Sequence, residues 1–147
     1  MWKADLELIT ELTSILQSVE TDMTIFFRIL SSIKIPNINS LRYAFYDEAT
    51  IPENEWNDWL NKWWKRVNGK PNQEKMRQAN PKYVLRNWMA QLAIDAAEKE
   101  DYSVAMEIHE LLKKPYEEQS DYEDKWFKKR PEWARHRVGC SMLSCSS

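Results

Sequence analysis

The chain has 147 residues, 43% hydrophobic and 30% charged, with a formal net charge of -2. It can bury at most one ordinary core, its composition is that of a globular chain rather than a disordered or membrane one, and it has no basic field to attract nucleic acid. Only two glycines occur, Gly69 and Gly139. Hairpin turns and phosphate-cradling loops depend on glycine, so their near-exclusion points to an all-α fold.

Charge interrupts the apolar residues of Met1-Trp2-Lys3-Ala4-Asp5-Leu6-Glu7, and no apolar run approaches membrane-spanning length. A soluble, intracellular chain with no membrane partner is expected. Leu6, Ile9, Leu12, Leu16 and Val19 recur at helical spacing, and Met23, Phe26, Phe27, Leu30 and Ile33 repeat the pattern after Glu20-Thr21-Asp22. Two helices are predicted, the second capped by Thr21 or Asp22 and stopped at Ile35-Pro36-Asn37. A short helix follows through Leu41, Ala44 and Phe45. Trp56, Trp59, Leu60, Trp63, Trp64 and Val67 then mark the most strongly patterned helix, ended by Gly69 in a left-handed conformation.

Pro71 to Ala79 reads as a short helical lead-in. Asn80-Pro81 reads as the start of a helix that buries Leu85, Trp88, Met89, Leu92 and Ala96. Asp101 can cap a last long helix through Val104, Ala105, Ile108, Leu111 and Leu112, closed by Lys113, Lys114 and Pro115. Beyond Pro115 the periodicity is lost. The expected organisation is an irregular helical bundle over 1–115 with an extended arm and tail over 116–147, anchored by Tyr116, Tyr122, Trp126, Phe127 and Trp133.

Few constellations carry chemistry. The tryptophan stripe has the spacing of a core helix, with a cofactor platform or a docking face as the alternatives; burying one indole is worth several kcal/mol at roughly 25 cal/mol per Å², so an exposed stripe would associate. His109 and His136 lie too far apart, and Cys140 and Cys145 at the wrong spacing, for a structural zinc site. No metal site is expected. The two cysteines admit three readings: unremarkable thiols, an intramolecular redox pair, or one redox thiol whose partner lies elsewhere.

One cysteine, Cys145, stands three positions from the carboxyl end, in Ser144-Cys145-Ser146-Ser147. That ending, with Asn80-Pro81-Lys82-Tyr83-Val84-Leu85-Arg86-Asn87, Asp101-Tyr102-Ser103, Lys114-Pro115-Tyr116 and Arg130-Pro131-Glu132-Trp133-Ala134, resembles the C-terminal region of the selenoprotein O family. Members of that family carry selenocysteine or cysteine at the antepenultimate position. The resemblance implies a protein-kinase-like parent fold that binds ATP and magnesium and transfers AMP to hydroxyl side chains of protein substrates.

The family's nucleotide-handling residues precede the matched segment. No Gly-rich loop, Asp-Phe-Gly or kinase-type catalytic loop occurs here, so no catalytic residue carries over. Met1 then reads as an internal start, a cloned boundary or a split gene, and the partner as an upstream kinase-like catalytic region. The redox role transfers onto Cys145, with Cys140 as a second candidate thiol, and Arg86 and Asn87 are candidate contacts to another part of the family's fold. The compartment implied is the cytoplasm of a bacterium or the mitochondrion of a eukaryote. A stand-alone helical interaction module and a small thiol oxidoreductase are the alternatives.

Overall fold

In a computed structural model that describes residues 3–140, the chain is all-α. Among the described residues the extended pairing is a single isolated bridge between Thr21 and Phe45. The chain divides into two compact units, residues 1–80 and 81–147, each burying its own apolar side chains, where length alone led to the expectation of a single core. Pro115, where the sequence reading ends the helical body, lies inside the second.

The first unit is built from α1 (Lys3–Ser18), α2 (Met23–Leu30), three single-turn 3-10 segments, α3 (Glu53–Arg66) and α4 (Gln73–Ala79). Buried Asp22 starts α2, its Oδ1 accepting the Ile25 N–H at 3.1 Å. The core runs through an aromatic chain in which Phe26 and Phe45 meet Trp56, Trp56 meets Trp59 edge-on, and Trp63 stacks on Trp59. Trp56, Trp59 and Leu60 are buried, and Trp63 and Trp64 are half-buried. The tryptophan stripe is therefore chiefly core. Gly69 ends the segment after α3 at φ +68°.

The phase of α1 differs from expectation. Leu6 and Ile9 are exposed, while Ile15 and Val19 are buried and Leu8 and Leu12 half-buried. Polar contacts to α3 accompany the observed phase. Asp5 accepts from Arg66 at 2.6 Å, Glu11 from Lys62 at 2.9 Å, and the Leu8 carbonyl from the Trp59 indole at 2.9 Å.

The second unit contains α5 (Asn87–Ala97), α6 (Ser103–Leu112), a 3-10 turn at Ser120–Tyr122, α7 (Glu123–Trp126) and α8 (Glu132–Arg135). Asp101 turns the chain into α6 by accepting from the backbone and hydroxyl of Ser103. Its core gathers Tyr83, Trp88, Met89, Ile108, Leu111, Trp126, Ala134 and Cys140. Trp126 is buried and Tyr122 and Phe127 pack against this core, so three expected anchors pack; Tyr116 and Trp133 are exposed.

The helix expected from Asn80-Pro81 begins instead at Asn87. Asn80 is extended at φ -118°, ψ 101°, the conformation favoured before proline, and it closes α4 rather than opening a new helix. Its side chain donates to the Met76 carbonyl at 2.8 Å.

Candidate functional site

Residues 81–86, freed from helix, form the most heavily determined polar structure of the second unit. The Lys82 and Tyr83 N–H groups both donate to the Pro115 carbonyl, at 2.8 and 3.2 Å. This turns the Lys82 side chain inward, where it is only 4% exposed. Its ammonium donates to Glu123 at 2.7 Å and Glu118 at 3.0 Å and stands 5.2 Å from the Phe127 ring centroid. The Tyr83 hydroxyl donates to the Glu118 and Gln119 carbonyls, both at 3.1 Å.

Gln119, left-handed at φ +41°, is held by its own amide, which donates to the Leu111 and Lys114 carbonyls at the end of α6. Burial pulls the Lys82 ammonium down, but its hydrogen bonds to Glu123 and Glu118 together prevail and hold it above its ordinary value. A permanently charged lysine is neither base nor nucleophile at neutral pH. It serves as a fixed cation that pins the 118–123 turn to the 81–86 segment.

Arg86 is the residue before α5 and Asn87 its first residue. Arg86 is 5% exposed and its carbonyl accepts the Ala90 N–H at 3.0 Å; Asn87 is half-buried, and neither residue is without a partner. The carboxylates that hold Lys82 lie 36 and 41 residues away, so no local sequence pattern shows the pairing.

Of the two cysteines, Cys140 carries a free thiol and is buried, while Cys145 lies outside the described residues. The backbone that leads to Cys140 is clipped to α5, where Arg137 makes a two-pronged ion pair with Asp95, both bonds at 2.7 Å. Gln91 also donates to Asp95, at 2.8 Å. The Arg137 and Gln91 hydrogen bonds hold the Asp95 carboxyl below its ordinary value. His109 and His136 are both exposed, and among the described residues no group of three or more His, Cys, Asp or Glu side chains is arranged to hold a metal ion. No helix among the described residues is long and apolar enough to cross a membrane.

The family model described as protein adenylyltransferase SelO matches residues 1–113. A protein nucleotidyltransferase YdiU from Flavobacterium johnsoniae is 49% identical over 99% of this chain, which corresponds to 30% of that protein. Proteins of the same name from Aromatoleum aromaticum and Rhodopirellula baltica are 44% and 43% identical over 97% and 99% of the chain. The chain spans 29% to 31% of the length of these curated relatives. With a family model covering well over half of its residues, the chain belongs to the SelO protein adenylyltransferase family.

Proposed function

We propose that this chain is the helical C-terminal part of an enzyme that transfers AMP from ATP, with magnesium, to hydroxyl side chains of proteins. The observation that carries this reading is that proteins named as nucleotidyltransferases align with nearly all of the chain at 43% to 49% identity, while the chain accounts for under a third of their length. Its role is then scaffold rather than nucleotide chemistry. Arg86 and Asn87, at the entry to α5, serve as contacts to the kinase-like catalytic region, and 116–147 serves as the arm that carries the redox position Cys145. A bacterial cytoplasmic setting suits the bacterial sources of the relatives.

The test is to replace the matching 30% of the Flavobacterium johnsoniae protein with this chain and follow transfer of labelled AMP from ATP to an acceptor protein. The chimera is expected to label its acceptor, and the same protein truncated before the exchanged segment to lose labelling. Full activity of the truncated protein would sink the scaffold role. An inactive but folded chimera would count against functional equivalence of the two segments.

A further inference from the structure

Cys140 is sheltered by a short piece of chain whose attachment can be traced residue by residue. After α8, residues 135–139 are exposed, Val138 at 80%, yet Cys140 is 1% exposed and belongs to the second unit's core with Trp88, Trp126 and Ala134. Two features turn the thiol inward. Gly139 adopts φ +89°, a conformation that residues with a side chain rarely take, and the Cys140 N–H closes a turn onto the Arg137 carbonyl at 3.0 Å. A third feature fixes that turn to the helix beside it. Arg137 grips Asp95 with two bonds, Gln91 one turn earlier on α5 supports the same carboxylate, and the Arg137 guanidinium lies 5.7 Å from the Trp133 ring centroid.

We propose that the Arg137–Asp95 ion pair is a latch that keeps the Cys140 thiol covered, so that Cys140 becomes reactive by local opening of residues 136–140 while the rest of the second unit stays folded. The anatomy suits such a device. The attachment is exposed and charged, hence weak and screened by salt, whereas what it covers is apolar core. Segments that open below the global unfolding free energy are those held by few buried apolar contacts, and among the described residues beyond Trp126 the buried groups are one small side chain, Ala134, and the thiol itself. This holds whether or not Cys145 serves in a redox couple.

The test uses the full chain with Cys145→Ser, which leaves Cys140 as its one thiol, and an aromatic disulfide as probe. The Cys140 thiolate attacks one sulfur, the probe's S–S bond breaks, and the released thiolate is read by absorbance. Asp95→Asn should raise the labelling rate by roughly two- to fivefold, the range an exposed ion pair supports, with the thermal midpoint kept. The charge swap Asp95→Arg with Arg137→Asp should return the rate toward that of the Cys145→Ser parent. An unchanged rate in Asp95→Asn would overturn the latch. So would a labelling rate in the parent that rises with urea on the same slope as global unfolding, because Cys140 would then be reached only through the unfolded chain.

Discussion

Lys82 shows how one side chain organises the second unit, and its energetics are asymmetric. The ammonium is buried while Glu118 and Glu123 are half-exposed, so the two sides of the ion pair carry unequal desolvation costs. Replacing Lys82 by Met leaves two carboxylates that water can solvate, keeps the apolar stem beside Phe127, and should cost about 1 kcal/mol or less. Removing both carboxylates, Glu118→Ala with Glu123→Ala, strands a buried cation and should cost more, about 1–3 kcal/mol. Urea denaturation of the two variants decides this, and a larger loss from Lys82→Met would show that the carboxylates are dispensable. The pH dependence has a definite sign. Because the folded-state pKa of Lys82 lies above its ordinary 10.5, its stabilisation is fully present below that value and is lost as pH rises through the folded value. The stability difference between wild type and Lys82→Met should therefore be flat from pH 7 to 9 and shrink above about 10.5.

At the scale of elements, α3 separates core from surface along one helix. Trp56 is fully buried among Phe26, Phe45 and Trp59, whereas Trp64 is half-buried at the helix end, with its indole beside Gly69. Trp56→Ala should cost about 3–5 kcal/mol and Trp64→Ala markedly less. Equal losses in urea melts would contradict the core assignment. This helix was legible in the sequence because six apolar residues share one face and no competing phase exists. In α1 two phases compete, Leu6-Ile9-Leu12 and Leu8-Leu12-Ile15-Val19, and hydrophobicity alone does not choose between them. The observed phase is the one that packs on α3, with Leu8 accepting from the Trp59 indole and ion pairs to Lys62 and Arg66, some fifty to sixty residues away. The Asn80-Pro81 start failed for a related reason. Asn before Pro suits an N-cap followed by N1 as well as it suits an extended residue before proline. What decides is a carbonyl at Pro115 that takes the Lys82 and Tyr83 N–H groups, a contact no local pattern reveals. The turns after Pro115 were unreadable because helices of four residues are too short to show a period. The burial of Cys140 depends on one arginine reaching back 42 positions to α5.

For the whole molecule, the question raised by the proposed function is whether these 147 residues could hold a nucleotide themselves. Phosphate groups are held by glycine-rich loops that bring several backbone N–H groups to bear, and by carboxylates that position magnesium. Here Gly69 ends the turn after α3 and Gly139 turns the chain toward Cys140, so both glycines already have other work. Four carboxylates of the second unit are likewise engaged. Glu118 and Glu123 hold Lys82, Glu107 accepts from Lys125 and Trp126 at 2.6 Å, and Asp95 holds Arg137. Moving any of these onto magnesium would dismantle the contact that orders its own turn. The chain alone is therefore expected to fold with a strongly helical circular dichroism spectrum yet to take up no ATP and magnesium in titration calorimetry. Nucleotide binding should return when the chain completes the Flavobacterium johnsoniae chimera. Saturable micromolar binding by the isolated chain would place a nucleotide site within these 147 residues and overturn the division between scaffold and catalytic region.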